Sequence, residues 1–193
     1  MRRFIKGLLF VLTLNLLSGP GFAQDFRIVS GSSCGFWVHV HRFFIPSDIQ
    51  GTNTFVSGTA ALSDTGTSLT AQVTLDATGF KTGIGLRDRD VRKSLKAAQF
   101  PEIKFVLKQL TGFNSKLAAL QGQTLTAEGT FTLLGHSAEL EFPVTIIQQN
   151  GIWRVQGVCQ QNFKNLGVVA PGIPGLLSVD DPLKLYVDLR FGE

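Results

Sequence analysis

A period-two alternation of apolar and polar residues recurs along most of this chain, and that pattern restricts it to half-buried β-strands. Leu69, Ala71, Val73, Leu75 and Ala77 share one parity, and Ser68, Thr70, Gln72, Thr74 and Asp76 the other. The pattern returns as Ile103, Phe105 and Leu107 against Glu102, Lys104 and Lys108, and as Leu125, Ala127, Gly129, Phe131 and Leu133 against threonines and Glu128. It returns again as Leu140, Phe142, Val144 and Ile146 against Glu139, Glu141 and Thr145, and in Leu183 to Phe191. Weaker strands are expected over Cys34 to Arg42, Gly51 to Leu62 and Ile152 to Gln161.

About eight strands with one wet face each indicate an all-β, antiparallel fold and exclude a doubly wound parallel sheet, whose strands are apolar on both faces. A sandwich or a closed barrel satisfies the pattern. Gly135-His136 and Asn150-Gly151 read as hairpin turns. Alternation stops between Phe80 and Pro101, where Val91, Leu95 and Ala98 are spaced as on a short amphipathic helix over Asp88 to Ala98, ended by Pro101. Gly167 to Pro182, with its prolines and glycines, reads as a loop with at most one helical turn.

The formal charge of +4 invites a nucleic-acid partner, yet three of the 18 basic residues, Arg2, Arg3 and Lys6, open the chain. An apolar run from Gly7 to Leu17 follows, then the small-residue end Gly21-Phe22-Ala23. This is the pattern of a secretory signal peptide, and the run is short of the roughly 20 residues of a spanning helix. Cleavage is expected after Ala23, leaving residues 24–193 as one domain with 15 basic against 14 acidic residues. Nucleic-acid binding and a stable membrane anchor are not expected; periplasmic or secreted localisation is. A homodimer stays open.

In an exported chain the two cysteines, Cys34 and Cys159, either form a disulfide or stay as separate buried thiols. His39 and His41 share a strand face and with His136 would supply three nitrogens to a metal, but their parity is opposite to Phe36, Val38 and Val40 and nothing brings His136 near, so no metal site is expected. Asp88 and Asp90 alternate with arginines that keep them ionised and unsuited to general acid work, and no nucleophile or phosphate-loop motif is present. The chain is not expected to be an enzyme.

The inward parity mixes bulky residues with small ones such as Ala61, Ala71, Ala127, Gly129 and Gly157. Either the two kinds interdigitate into a solid core or the small ones leave an apolar tunnel.

Thr82-Gly83, Arg87-Asp88, Val91, Phe100-Pro101, Ile103 and Phe105, in that order, resemble the central signature of the YceI-like family. Gly129 to Ser137 is similar to that family's hairpin, Ser32 to Phe36 to its opening strand, and Gln160 to Gly167 faintly to a later segment. The chain departs from the pattern at Asp90, where the family has His, at Phe100, where it has Tyr, in a shorter helix, and in the unfamiliar stretch Arg42 to Thr54. The resemblance implies a single extended antiparallel barrel, lipocalin-like, with one short helix in a long connection. It also implies an exported protein without a cofactor that binds a polyisoprenoid, such as a quinone or prenyl phosphate, in an apolar lumen. Parity and resemblance together assign the lumen to Phe36 and Val38, Ala71 and Val73, Phe80, Leu95, Phe105 and Leu107, Ala127, Gly129 and Phe131, Phe142 and Val144, and Trp153. Arg87, Asp88 and Arg92 are the expected head-group or rim residues, although Arg87 and Asp88 could equally fix the loop.

Overall fold

The computed structural model describes residues 24–63, 66, 68–113, 120–172 and 175–193. The expected signal peptide, residues 1–23, and Pro174 lie outside the described residues. Eleven strands form one antiparallel sheet: β1 (Gln24–Ile28), β2 (Ser33–Arg42), β3 (Ile45–Asn53), β4 (Val56–Leu62), β5 (Leu69–Asp76), β6 (Glu102–Thr111), β7 (Gln123–Leu133), β8 (His136–Gln149), β9 (Ile152–Gln161), β10 (Leu177–Val179) and β11 (Leu183–Gly192). Among the described residues one α-helix, α1 (Gly85–Ser94), lies between β5 and β6, after a single 3-10 turn at Ala77–Gly79.

Pairing reduces these segments to a closed barrel of eight strands. β1 and β2 both run antiparallel along β11, with Ile28 opposite Phe191 and Ser33 opposite Asp188, so they are one strand interrupted at residues 29–32. Ser32 fills the interruption: its hydroxyl donates to the Val29 carbonyl and accepts from the Arg190 amide, both at 2.9 Å. β3 pairs with β2 and β4 with β1, so they too form one interrupted strand, and β10 continues the line of β11 along β2. Closure removes the free edges of the other barrel strands, but among the described residues β3 pairs with β2 alone, so its outer edge up to Gly51 is left without a partner strand.

The break in β3–β4 corrects one sequence expectation. Gly51 to Leu62 reads as a single strand with Ala61 inward, but residues 54–55 separate two strands and switch the parity. Ile49 lines the interior on one side of the break and Ala60, not Ala61, on the other. Asn53, fully buried, satisfies the backbone that the break exposes: its Nδ2 donates to the Asp76 carbonyl at 2.6 Å and its Oδ1 accepts from the Phe55 amide at 2.8 Å. A buried amide or carbonyl left without such a partner costs about 1–3 kcal/mol. Beyond the break β3 no longer borders β5, and paired backbone bonds between Thr52 and Lys81, 2.9 and 2.8 Å, close the seam.

Three tight hairpin turns have both central residues at positive φ: Phe43-Phe44, Leu134-Gly135 and Asn150-Gly151. Asn-Gly suits that backbone, whereas two phenylalanines do not. Helix α1 begins and ends earlier than expected. Its C-cap is Leu95, and the next residue, Lys96, turns to φ +44° while its amide bonds the Lys93 carbonyl at 2.9 Å. The helix therefore stops well before Pro101, and the apolar phase passes from Ala98, which is exposed, to Ala97, which is buried. The stretch Gly167 to Pro182 contains strand β10, which its prolines concealed. No helix among the described residues is long and apolar enough to cross a membrane.

An apolar chamber with a charged mouth

The inward parity of every barrel strand converges on one chamber of about 460 Å³, within the usual range of small-ligand pockets. Both Leu183 and Phe191 line it, so along β11 it extends for about 27 Å, or about 20 Å along the barrel axis at an ordinary strand tilt. Phe26, Trp153 and Phe191, all buried, floor one end. At the other end Ile84 and Leu86 line the chamber while remaining 52% and 61% exposed, which places the mouth at the start of α1. The exposed Phe43, Phe44 and Ile45 follow directly on Arg42, a lining residue, and exposed Val169 follows lining residue Val168. The mouth thus carries an apolar rim.

Of the residues assigned to the lumen from sequence, Phe36 and Val38 on β2, Ala71 and Val73 on β5, and Phe80 beneath the seam line the chamber. So do Leu95 at the end of α1, Phe105 and Leu107 on β6, Ala127 and Phe131 on β7, Phe142 and Val144 on β8, and Trp153 on β9. Gly129 shares their parity but does not line it. A Cβ there would lie 2.3 Å from the Val106 carbonyl oxygen and 2.6 Å from the Phe105 ring, so Gly129 is the shelf on which that ring rests. Gly51 does the same for Phe36, whose ring in turn meets Phe80 with centroids 5.6 Å apart.

At the mouth the three expected residues separate. Arg87 lines the chamber and its Nη2 donates to the Thr82 carbonyl at 2.6 Å, while its buried Nε has no partner. Asp88 does not reach the chamber: it accepts from the Thr82 hydroxyl at 2.6 Å and the Thr82 amide at 2.7 Å, with Lys81 4.0 Å away. The Thr82 hydroxyl and amide hold the Asp88 carboxyl below the usual carboxylate range, with Lys81 and Arg92 adding to the effect. Asp88 therefore fixes the loop, and Arg92 does not line the chamber. In their place Arg42, Asp90 and Ser94 join Arg87 at the margin. Arg42 continues the inward parity of β2, and residues 87, 90, 91 and 94 share one helix face, so both sets were accessible to spacing arguments. Phe163, Leu166, Val168 and Pro171, from the connection after β9, also line the chamber, and no periodicity marks them.

Of the two states open to the cysteines, the structure has the separate thiols. Cys34 is opposite Val187 and Cys159 opposite Leu185, on the two flanks of β11, so a whole strand separates them. Two interstrand spacings, about 9.6 Å, exceed the roughly 7 Å within which Cα atoms can be bridged. Both are buried free thiols, and burial pushes each up to about 12. His39 and His41 lie on the outer face beside Asp180, whereas His136 starts β8 and packs against Gly167.

The fold and the chamber define a class: closed antiparallel barrels that enclose one elongated apolar space with polar groups at a single end. Residues 28–191 match the YceI-like domain, and the chain belongs to that family. No curated protein matches the sequence. Among solved structures the chain is similar to Burkholderia cenocepacia BcnA, with TM-score 0.63 and 17% identity over 81% of this chain and 95% of that one. It is also similar to a polyisoprenoid binding domain from Saccharophagus degradans implicated in plant cell wall breakdown, with TM-score 0.64 and 14% identity over 86% and 97%. A third is the Campylobacter jejuni YceI protein, with TM-score 0.61 and 14% identity over 76% and 86%. At these identities the likeness is one of fold.

Proposed function

We propose that this chain is an exported carrier that holds one long-chain isoprenoid amphiphile, a quinone or prenyl phosphate, with the tail in the chamber and the head at the mouth. The observation that carries the reading is the chamber itself: about 20 Å long by strand geometry, apolar along its walls, with Arg42, Arg87, Asp90 and Ser94 at one end. Each methylene moved from water into such a space contributes about 0.8 kcal/mol, so an elongated chain gains more than a compact solute. Arg87, which lines the chamber at its mouth, offers a guanidinium to a quinone or phosphate oxygen. Family membership, and a structural neighbour that is a polyisoprenoid binding domain, support the same class of ligand. The basic and apolar leader supports export. No covalent step is part of this function.

Native mass spectrometry of gently purified protein, followed by organic extraction, tests the reading. A stoichiometric adduct with a repeating isoprene mass series is expected, and Ala71→Trp and Ala127→Trp, which fill the chamber, should each reduce binding at least tenfold with the strand content retained. Gly129→Leu is not a clean probe, since it collides with backbone. An apo mass together with no uptake of added quinone or prenyl phosphate overturns the carrier and leaves a barrel that acts through its surface loops.

A further inference from the structure

On the outer wall, opposite the parity that lines the chamber, β2 presents His39 and His41, and Asp180 meets them from the connection between β10 and β11. One ring nitrogen of each histidine and one carboxylate oxygen of Asp180 lie within 4.8 Å of one another. The His41 Nε2 to Asp180 Oδ2 distance is 3.2 Å, close to the roughly 3.3 Å edge of a tetrahedron built on zinc–ligand bonds of about 2.05 Å. The two imidazoles stand nearly perpendicular, with centroids 5.1 Å apart. Backbone geometry sets the arrangement before any ion arrives. Asp180 donates its amide to the His39 carbonyl at 2.8 Å, and the antiparallel register of β10 on β2 places Ser178 opposite His41. Asp48, opposite His39 on β3, bonds His39 Nδ1 at 2.7 Å, the carboxylate–histidine contact that orients metal-bound imidazoles.

We propose that His39, His41 and Asp180 form a three-ligand site for a divalent transition ion, open at its fourth position, that ties the connection preceding β11 to the barrel wall. Two imidazoles and one carboxylate suit zinc, copper and nickel and disfavour calcium or magnesium, which take oxygen ligands. The clamp bears on the mouth, because the segment that ends in Asp180 includes Val168, Pro171, Leu177 and Val179, all chamber-lining. The ion would thereby steady one side of the opening without touching the chamber's contents.

Zinc titration of the untagged chain by isothermal calorimetry tests the site. One zinc per chain is expected, with affinity falling at least tenfold in each of His39→Ala, His41→Ala and Asp180→Asn while the metal-free melting temperatures stay within a few degrees of the parent. Asp48→Asn should weaken zinc by about tenfold, and Asp48→Glu should recover part of it, which a purely structural role for Asp48 would not produce. Zinc should also slow amide exchange over residues 176–180 in the parent and not in Asp180→Asn. Absent zinc binding, or binding indifferent to all three ligand variants, overturns the site; binding without the exchange change overturns the clamp. None of these readouts depends on a lipid.

Discussion

Asp88 shows how one side chain can look like a ligand contact in sequence and serve the backbone in the structure. Its position beside Arg87 suggested a rim pair, but both acceptor bonds go to Thr82 six residues earlier, and they tie the start of the excursion to its helix. Because those bonds hold its folded carboxyl below the ordinary range, Asp88 contributes stability that is complete above the unfolded value near 3.9 and is lost as pH falls through the lower, folded value. Denaturant midpoints measured from pH 6 to pH 2 should fall on the acid side in the parent and fall less steeply in Asp88→Asn. An identical acid limb in both would assign the loss elsewhere, for instance to Asp188, whose carboxyl Arg154 likewise holds low through bonds of 2.7 and 2.6 Å. Inward parity reached lining that the strands supply, since it depends only on the sequence step of two, and missed what the helix and the connections add. It failed at Gly129 because parity gives a direction and not whether a neighbouring ring already occupies the space. It failed at Ala61 because a two-residue break, held by Asn53, is invisible to a periodic count.

Among the elements, the β2–β3 hairpin is the least economical in backbone terms. Phe43 and Phe44 both sit at positive φ, at 48° and 67°, and are 64% and 92% exposed. The left-handed region costs a bulky L-residue about 1–2 kcal/mol, and neither ring is repaid by burial. Replacing the pair by Asn-Gly should therefore raise the melting temperature by several degrees. In the carrier reading the rings belong to the apolar rim, so the same double variant should take up quinone from vesicles more slowly while binding it equally well in detergent. An unchanged uptake rate would separate the rim from the function. This hairpin lies in the stretch Arg42 to Thr54, unfamiliar in sequence, where strand propensity is weak and the sequence offered no turn signal. The Asn150-Gly151 turn, by contrast, was evident from its two residues. Helix α1 was legible as an element but not in its bounds, since the left-handed Lys96 that ends it is not a residue type that announces such a turn.

For the whole molecule, barrel closure decides what the cysteines do. Once β11 lies between Cys34 and Cys159, oxidation cannot join them without breaking the ladder on either side. Burial holds both thiols near 12, so neither is ionised at neutral pH. A thiol reagent should count two reactive groups per chain in denaturant and none in the native protein, and a reducing agent should leave the melting temperature unchanged. A single slow-reacting native thiol would mean that the chamber admits the reagent to Cys34, which lines it. Pairing of this kind cannot be read from spacing, because it depends on which strands are neighbours. The class of fold could be read, because every strand reports its own wet and dry faces.

The same strand sets an order in time. β11 joins β9 on one side and β1 and β2 on the other, so the first and last strands of the barrel meet only at the end. As the chain folds, every earlier hairpin can form from neighbouring segments, but the cylinder remains an open sheet with two bare borders until β11 has docked. Contacts so distant in sequence form late. The interval before β11 docks is therefore when two copies could join edge to edge.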